Sequence, residues 1–186
     1  GVGAPILLRG EAGIGKSRLS EEVVRRARHL GWLSTTARVP ELSAGTASDV
    51  LSALGKSLMA LLDDSDTPPM TDFAPDLRLA IEDLTGVEPS DLHRLGAMTE
   101  AARTAARIDA LQALATMSAA RRPLLLGVED GHGATEAALA GRERLAAGVL
   151  PERPLVLLMT KRVEGDPSRK AGRLAGLQKL TMDLGP

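Results

Sequence analysis

Residues 5–19 read Pro5-Ile6-Leu7-Leu8-Arg9-Gly10-Glu11-Ala12-Gly13-Ile14-Gly15-Lys16-Ser17-Arg18-Leu19. The apolar run at residues 5–9 ends on a glycine, as a buried strand entering a turn does. Beyond Lys16, the apolar residues Leu19, Val23, Ala27 and Leu30 recur at helical spacing, and Gly31 stands where such a helix would stop. Between strand and helix, Gly10, Gly15, Lys16 and Ser17 fulfil the spacing Gly, four residues, Gly-Lys-Ser, and Gly13 adds a further permissive position. Glycines allow successive backbone N–H groups to wrap a phosphate, and the helix N-terminus adds positive potential at the same point. Lys16 brings a full charge to the outer phosphates, and Ser17 offers a hydroxyl to a magnesium ion bridging them. The competing reading, a glycine turn before an exposed lysine, lacks a reason for the flanking strand and helix. The side chains of Glu11, Ile14 and Arg18 are expected to face solvent or to pack.

Further along, residues 32–39 hold the β-prone stretch Leu33-Ser34-Thr35-Thr36-Ala37-Arg38-Val39, closed by Pro40, and predict a second strand. Between residues 46 and 63, Val50, Leu51, Leu54, Leu58, Leu61 and Leu62 mark an amphipathic helix despite Gly55. Residues 64–71, with two prolines, predict a loop. Residues 74–95 read as helix in pieces, broken around Gly86-Val87-Glu88-Pro89, and residues 99–120 as a long alanine-rich helix with Thr99 as N-cap. Residues 123–130 and 154–160 are continuous apolar runs of the kind found in a parallel sheet covered on both faces, separated by a helix over 135–148. A helix over 168–177 and a fifth strand over 179–184 complete an α/β domain with a mostly parallel sheet.

Strand C-terminal ends are where ligands sit in such sheets. Glu129-Asp130 ends the third apolar run, and a magnesium nucleotide needs carboxylates there for the metal and for an attacking water. Glu129 is assigned to the metal side and Asp130 to the water, although either order serves. Thr160 and Arg162, ending the next strand, are candidates to sense the terminal phosphate. His132 reads as a solvated loop histidine, and no second histidine or cysteine stands near it to build a zinc site. Arg25, Arg26, Arg28 and His29 read as the solvated face of a helix rather than a nucleic-acid patch.

Composition narrows the classes. At 186 residues the size favours one domain, and a net charge of −1 gives no general reason to expect nucleic acid or acidic membrane as partner. No apolar run approaches a bilayer span and no signal segment is visible, and the absence of cysteine fits a reducing compartment, so a cytoplasmic location is expected. Trp32 and Phe73 are the only aromatic residues, which argues against stacking platforms for single-stranded nucleic acid.

The run from Leu7 to Leu19 resembles the start of the ATPase domain in bacterial STAND and AAA-type regulators. It is similar to the module in large ATP-binding LuxR-type transcriptional regulators and in some nucleotide-cyclase-associated proteins. Arg122-Pro123-Leu124-Leu125-Leu126-Gly127-Val128-Glu129-Asp130 resembles their Walker B strand, and residues 153–162 their sensor strand, with Thr160 and Arg162 on the matching positions. Gly131-His132-Gly133-Ala134-Thr135 keeps only the histidine of the family's Leu-His-Trp-Ala-Asp type sequence, and Lys161 stands where tyrosine is common.

The resemblance implies a P-loop NTPase three-layer sandwich, with a five-stranded sheet and a helical insertion between the second and third strands. It implies that residues 1–186 form one ATPase core, with the adenine-contacting N-terminal segment and C-terminal lid lying outside it. The nucleotide positions it implies are Gly10, Ala12, Gly13, Ile14, Gly15, Lys16, Ser17, Arg18 and Thr160, the metal positions Ser17, Glu129 and Asp130, and the catalytic positions Lys16, Glu129, Asp130 and Arg162. Its cofactors are ATP and Mg2+, and its partners are other domains of a larger regulator or further copies of itself, without direct contact to nucleic acid or membrane. The expected activity is slow hydrolysis of ATP in a regulatory switch. The alternatives are a small-molecule or nucleotide kinase and a non-hydrolysing nucleotide-binding scaffold.

Overall fold

The computed structural model describes residues 4–38, 47–62, 70–129, 154–162 and 180–185. Among the described residues, five strands and five helices follow in the order β1 (Ala4–Gly10), α1 (Lys16–His29), β2 (Leu33–Arg38), α2 (Ala47–Leu62), α3 (Pro75–Thr85), α4 (Leu92–Ala97), α5 (Glu100–Arg121), β3 (Leu124–Glu129), β4 (Leu155–Arg162) and β5 (Leu180–Leu184). A single 3-10 turn at Met70–Asp72 falls at the end of the expected loop, and the expected helices over 135–148 and 168–177 lie outside the described residues.

The sheet order is β2-β3-β4-β1-β5, and every pairing is parallel. This order makes β1 an interior strand, with β4 on one side and β5 on the other. To reach β2 the chain must pass β4 and β3, so α1 lies across β1, β4, β3 and β2. The helical insertion, α2 to α5, joins β2 to β3 on the opposite face of the sheet. Side-chain alternation keeps the two faces apart. Leu124, Leu126 and Val128 join the core under the insertion, whereas Leu125 packs with Val24 and Ala27 of α1.

Helix ends follow local chemistry. Gly31, at φ 79°, closes α1 with paired bonds from Gly31 N to Arg28 O (2.9 Å) and from Trp32 N to Ala27 O (3.0 Å), the geometry only a left-handed residue permits. Gly86, at φ 72°, closes α3, and Thr99 caps α5 by accepting from Ala102 N at 3.2 Å. Among the described residues no helix is long and apolar enough to cross a membrane.

With so few aromatic residues, the insertion is packed from leucine and alanine. Leu54, Leu58 and Leu62 recur on one face of α2 and are all but fully buried. Gly55 is part of this packing, because a Cβ there would stand 2.5 Å from Leu84 Cγ and 2.8 Å from its Cδ2. The helix tolerates glycine because α3 approaches α2 so closely.

Beside that contact lies a buried ion cluster that sequence periodicity does not reveal. The Asp83 carboxylate of α3 accepts from Arg107 Nε at 2.6 Å and Nη2 at 3.1 Å, and from Arg103 Nε at 2.9 Å and Nη2, both arginines being on α5. Next to it Glu82 accepts from Arg78 Nε at 2.8 Å and from Ser90 N at 2.7 Å. Burial pushes the Asp83 carboxyl up, but the hydrogen bonds and charges of Arg103 and Arg107 outweigh it and hold the group at about 2.

Gly55→Ala should therefore destabilise by about 1–3 kcal/mol through overpacking, against the gain of up to about 1 kcal/mol expected from helix propensity. Gly96→Ala in α4, where nothing lies within 4 Å, should be neutral or slightly stabilising. Urea unfolding of the two variants separates these outcomes. Because the folded Asp83 pKa lies below the ordinary 3.8, its contribution is complete above pH ~4 and is lost as the pH falls through about 2. Asp83→Asn should cost about 3–5 kcal/mol at neutral pH and remove that acid-sensitive limb, measured as unfolding free energy against pH.

Candidate functional site

Gly10 is the last residue of β1 and Lys16 the first of α1, so five residues turn the chain from sheet to helix. Gly13 and Gly15 make the turn at φ 79° and 98°, in the left-handed region that side chains with a Cβ avoid. Gly10 is required for another reason. A Cβ there would lie 2.8 Å from Ile14 Cγ2 and 3.0 Å from Leu184 O, so the loop folds back on β1 while β5 closes in beside it. Ile14 is half-buried in that fold-back, whereas Glu11, Ala12, Ser17 and Arg18 are exposed.

The first turn of α1 carries no acidic residue, and its first internal bond is Leu19 N to Gly15 O at 2.9 Å. The amides of Lys16, Ser17 and Arg18 therefore precede the helical ladder, at the positive end of a 14-residue helix. Lys16 Nζ donates to Gly10 O at 2.9 Å and to Glu11 O, which draws the ammonium across the loop. Burial first, and then the charge of Arg162, lower the Lys16 pKa from its ordinary value. The charge of Arg162 on β4 is thus felt at Lys16 on α1, which brings two cations of different elements to one strand end.

Register explains how Arg162 arrives there. Gly10 pairs with Arg162 between β1 and β4, and Glu129 pairs with Thr160 between β3 and β4. Thr160 and Arg162 are two residues apart and so share the α1 face of the sheet, as does Glu129. Thr160 is buried, Arg162 and Glu129 are half-buried, and Glu129 Oε1 is buried. The structure thus brings Gly10, Lys16, Glu129, Thr160 and Arg162 to one end of the sheet. Asp130 and His132 lie outside the described residues. A cavity of about 460 Å3 runs from Glu129 and Thr36 along α1 past Ser20, and none of residues 10–17 lines it.

The basic cluster on α1 is exposed, as expected, but it is not uniformly solvated. Arg25 and Arg26 both clasp Glu22, whereas Arg28 reaches the sheet, with Nε 2.9 Å from Ser34 Oγ. Sequence reading missed Arg9. Its Nε and Nη2 each lie 2.7 Å from a carboxylate oxygen of Asp183, its register partner on β5, in a two-pronged bond that ties β5 to β1 one residue before the glycine turn. Alternation along each strand was the available signal, but it becomes usable only once β5 is known to neighbour β1.

The family model of the AAA ATPase domain matches residues 1–158, most of the 186-residue chain, and the chain belongs to that family. The matched span contains the glycine loop, the helical insertion and Glu129, while Thr160, Arg162 and β5 follow it. No curated protein matches the chain. Arg162→Gln should raise the Lys16 titration part of the way toward its ordinary value, since burial, the larger cause, remains; the pH dependence of the lysine ε-carbon resonance checks this. Gly10→Ala should cost about 1–3 kcal/mol in chemical unfolding, because Ile14 or the β5 backbone must move.

Proposed function

On the premise that the chain is an AAA ATPase domain, we propose that it is the ATP-binding and ATP-hydrolysing core of a bacterial regulatory switch acting in the cytoplasm. The observation that carries this is the convergence at a single strand end of the left-handed glycine turn, the uncapped start of α1, Lys16 drawn across the loop to Gly10 O, and Arg162 in register with Gly10. Backbone amides over residues 10–18 wrap the β-phosphate, with Ala12, Ile14 and Arg18 contributing main chain. Lys16 exchanges its bonds to the Gly10 and Glu11 carbonyls for bonds to the outer phosphates.

The donor set suits magnesium, with the Ser17 hydroxyl exposed at the helix start and the Glu129 carboxylate at the end of β3. Such an ion, held by Ser17 and Glu129, would neutralise part of the charge of the phosphates. Asp130 or Glu129 orients the attacking water, Thr160 contacts the terminal phosphate, and Arg162 stabilises the charge that develops as the phosphoryl group departs. The resemblance to LuxR-type regulators supports an output outside this core, carried by neighbouring domains or by assembly with further copies.

Titration of fluorescent ATP with magnesium tests the reading. Wild type should bind saturably, and Lys16→Ala should weaken binding at least tenfold, about 1.4 kcal/mol or more. Glu129→Gln should keep nucleotide binding while lowering phosphate release at least tenfold. Absence of binding by wild type, or equal binding by Lys16→Ala, sinks the proposal.

A further inference from the structure

A second opening lies in the helical insertion, away from the glycine loop. It has a volume of about 300 Å3, with Leu79, Leu95, Met98 and Ala106 among its apolar walls and Arg94 and Arg103 on its polar side. That size is at the lower end of sites for small organic molecules.

The chemistry on offer is that of a donor. Asp83 borders the opening, but its carboxylate already takes four hydrogen bonds from Arg103 and Arg107, which leaves it little capacity to receive a ligand's N–H. Asp76, at the rim, is exposed and held by Arg94 Nη2 at 2.5 Å. Arg103 differs, because only its Nε and Nη2 serve Asp83. A guanidinium has five N–H donors, and the Nη1 edge of this one has no partner among the described residues. Its side chain is 35% exposed.

The cover over the opening is slight. Helix α4 has six residues, of which only Leu95 is buried, and it is held by the Asp91 cap on Arg94 N and the exposed Arg94–Asp76 pair. None of its residues belongs to the core cluster shared by α2, α3 and α5.

We infer that the opening between α3, α4 and α5 binds a small organic carboxylate, its apolar body among Leu79, Leu95, Met98 and Ala106 and its carboxylate on Arg103, with Arg94 at the mouth. The site is independent of the nucleotide reading, since none of its residues belongs to the sheet end. It makes the insertion a receptor for a metabolite acid, and α5 joins that receptor directly to β3.

The test uses the 186-residue chain with labelled methionine methyls, in wild type and in Lys16→Ala, which removes the ammonium of the glycine loop as an anion site. Octanoate should shift the Met98 methyl saturably in both, at least tenfold more tightly than octanamide, and octylamine should not. Ala106→Leu, which fills the opening, should abolish the shift. Arg94→Gln, at an exposed position, should weaken octanoate several-fold with the remaining methionine methyls unmoved. The inference is overturned if Met98 does not respond, if octanamide or octylamine binds as well as octanoate, if Lys16→Ala removes the response, or if neither site variant weakens it.

Discussion

The site depends on β1 being an interior strand of an all-parallel sheet. Because β4 and β5 flank it, the turn leaving β1 has neighbours on both sides, and Gly10 must do without a Cβ against Ile14 and the Leu184 carbonyl. The same position delivers Arg162 into register with Gly10 and, one strand further, Glu129 beside Thr160. Strand order, more than any local motif, assembles the charged groups of the site, Lys16, Glu129 and Arg162, from three separate stretches of chain.

The insertion meets a different demand. A core of leucine and alanine has volume but few rigid shapes, so nearly equivalent helix packings compete. Two features restrict the choice here. Gly55 lets α2 and α3 meet at a distance no other residue allows, and Asp83 accepts two guanidiniums only when α3 and α5 stand in one relation. The first works by shape and the second by directed bonds.

Much of this was legible in the sequence. The glycine spacing at residues 10–17 fixed the β1–α1 turn, and the recurrence of Leu54, Leu58 and Leu62 marked α2. Gly31 and Thr99 signalled the end of one helix and the start of another, because their chemistry is local. Gly55 looked like a defect tolerated within a helix; its reason is a contact with Leu84, 29 residues away, and periodicity within one element contains no such information. Arg9 with Asp183 and Asp83 with Arg103 and Arg107 were invisible for the same reason. A charged residue in one segment does not announce its partner until topology has set the segments side by side. Strand ends were visible as apolar runs ending in polar groups, but the pairing of Glu129 with Thr160 needed the register.

The two-pronged bond between Arg9 and Asp183 has a dynamic meaning. Its two parallel hydrogen bonds resist sliding of β5 along β1 and resist twisting between them, where a single bond would resist neither. Together with the close approach of Leu184 to Gly10, it fixes where the last residues of β5 stand beside the entrance to the glycine turn. A displacement of that turn is therefore opposed by β5 as well as by β4, so both neighbours of β1 hold the entrance to the loop in place.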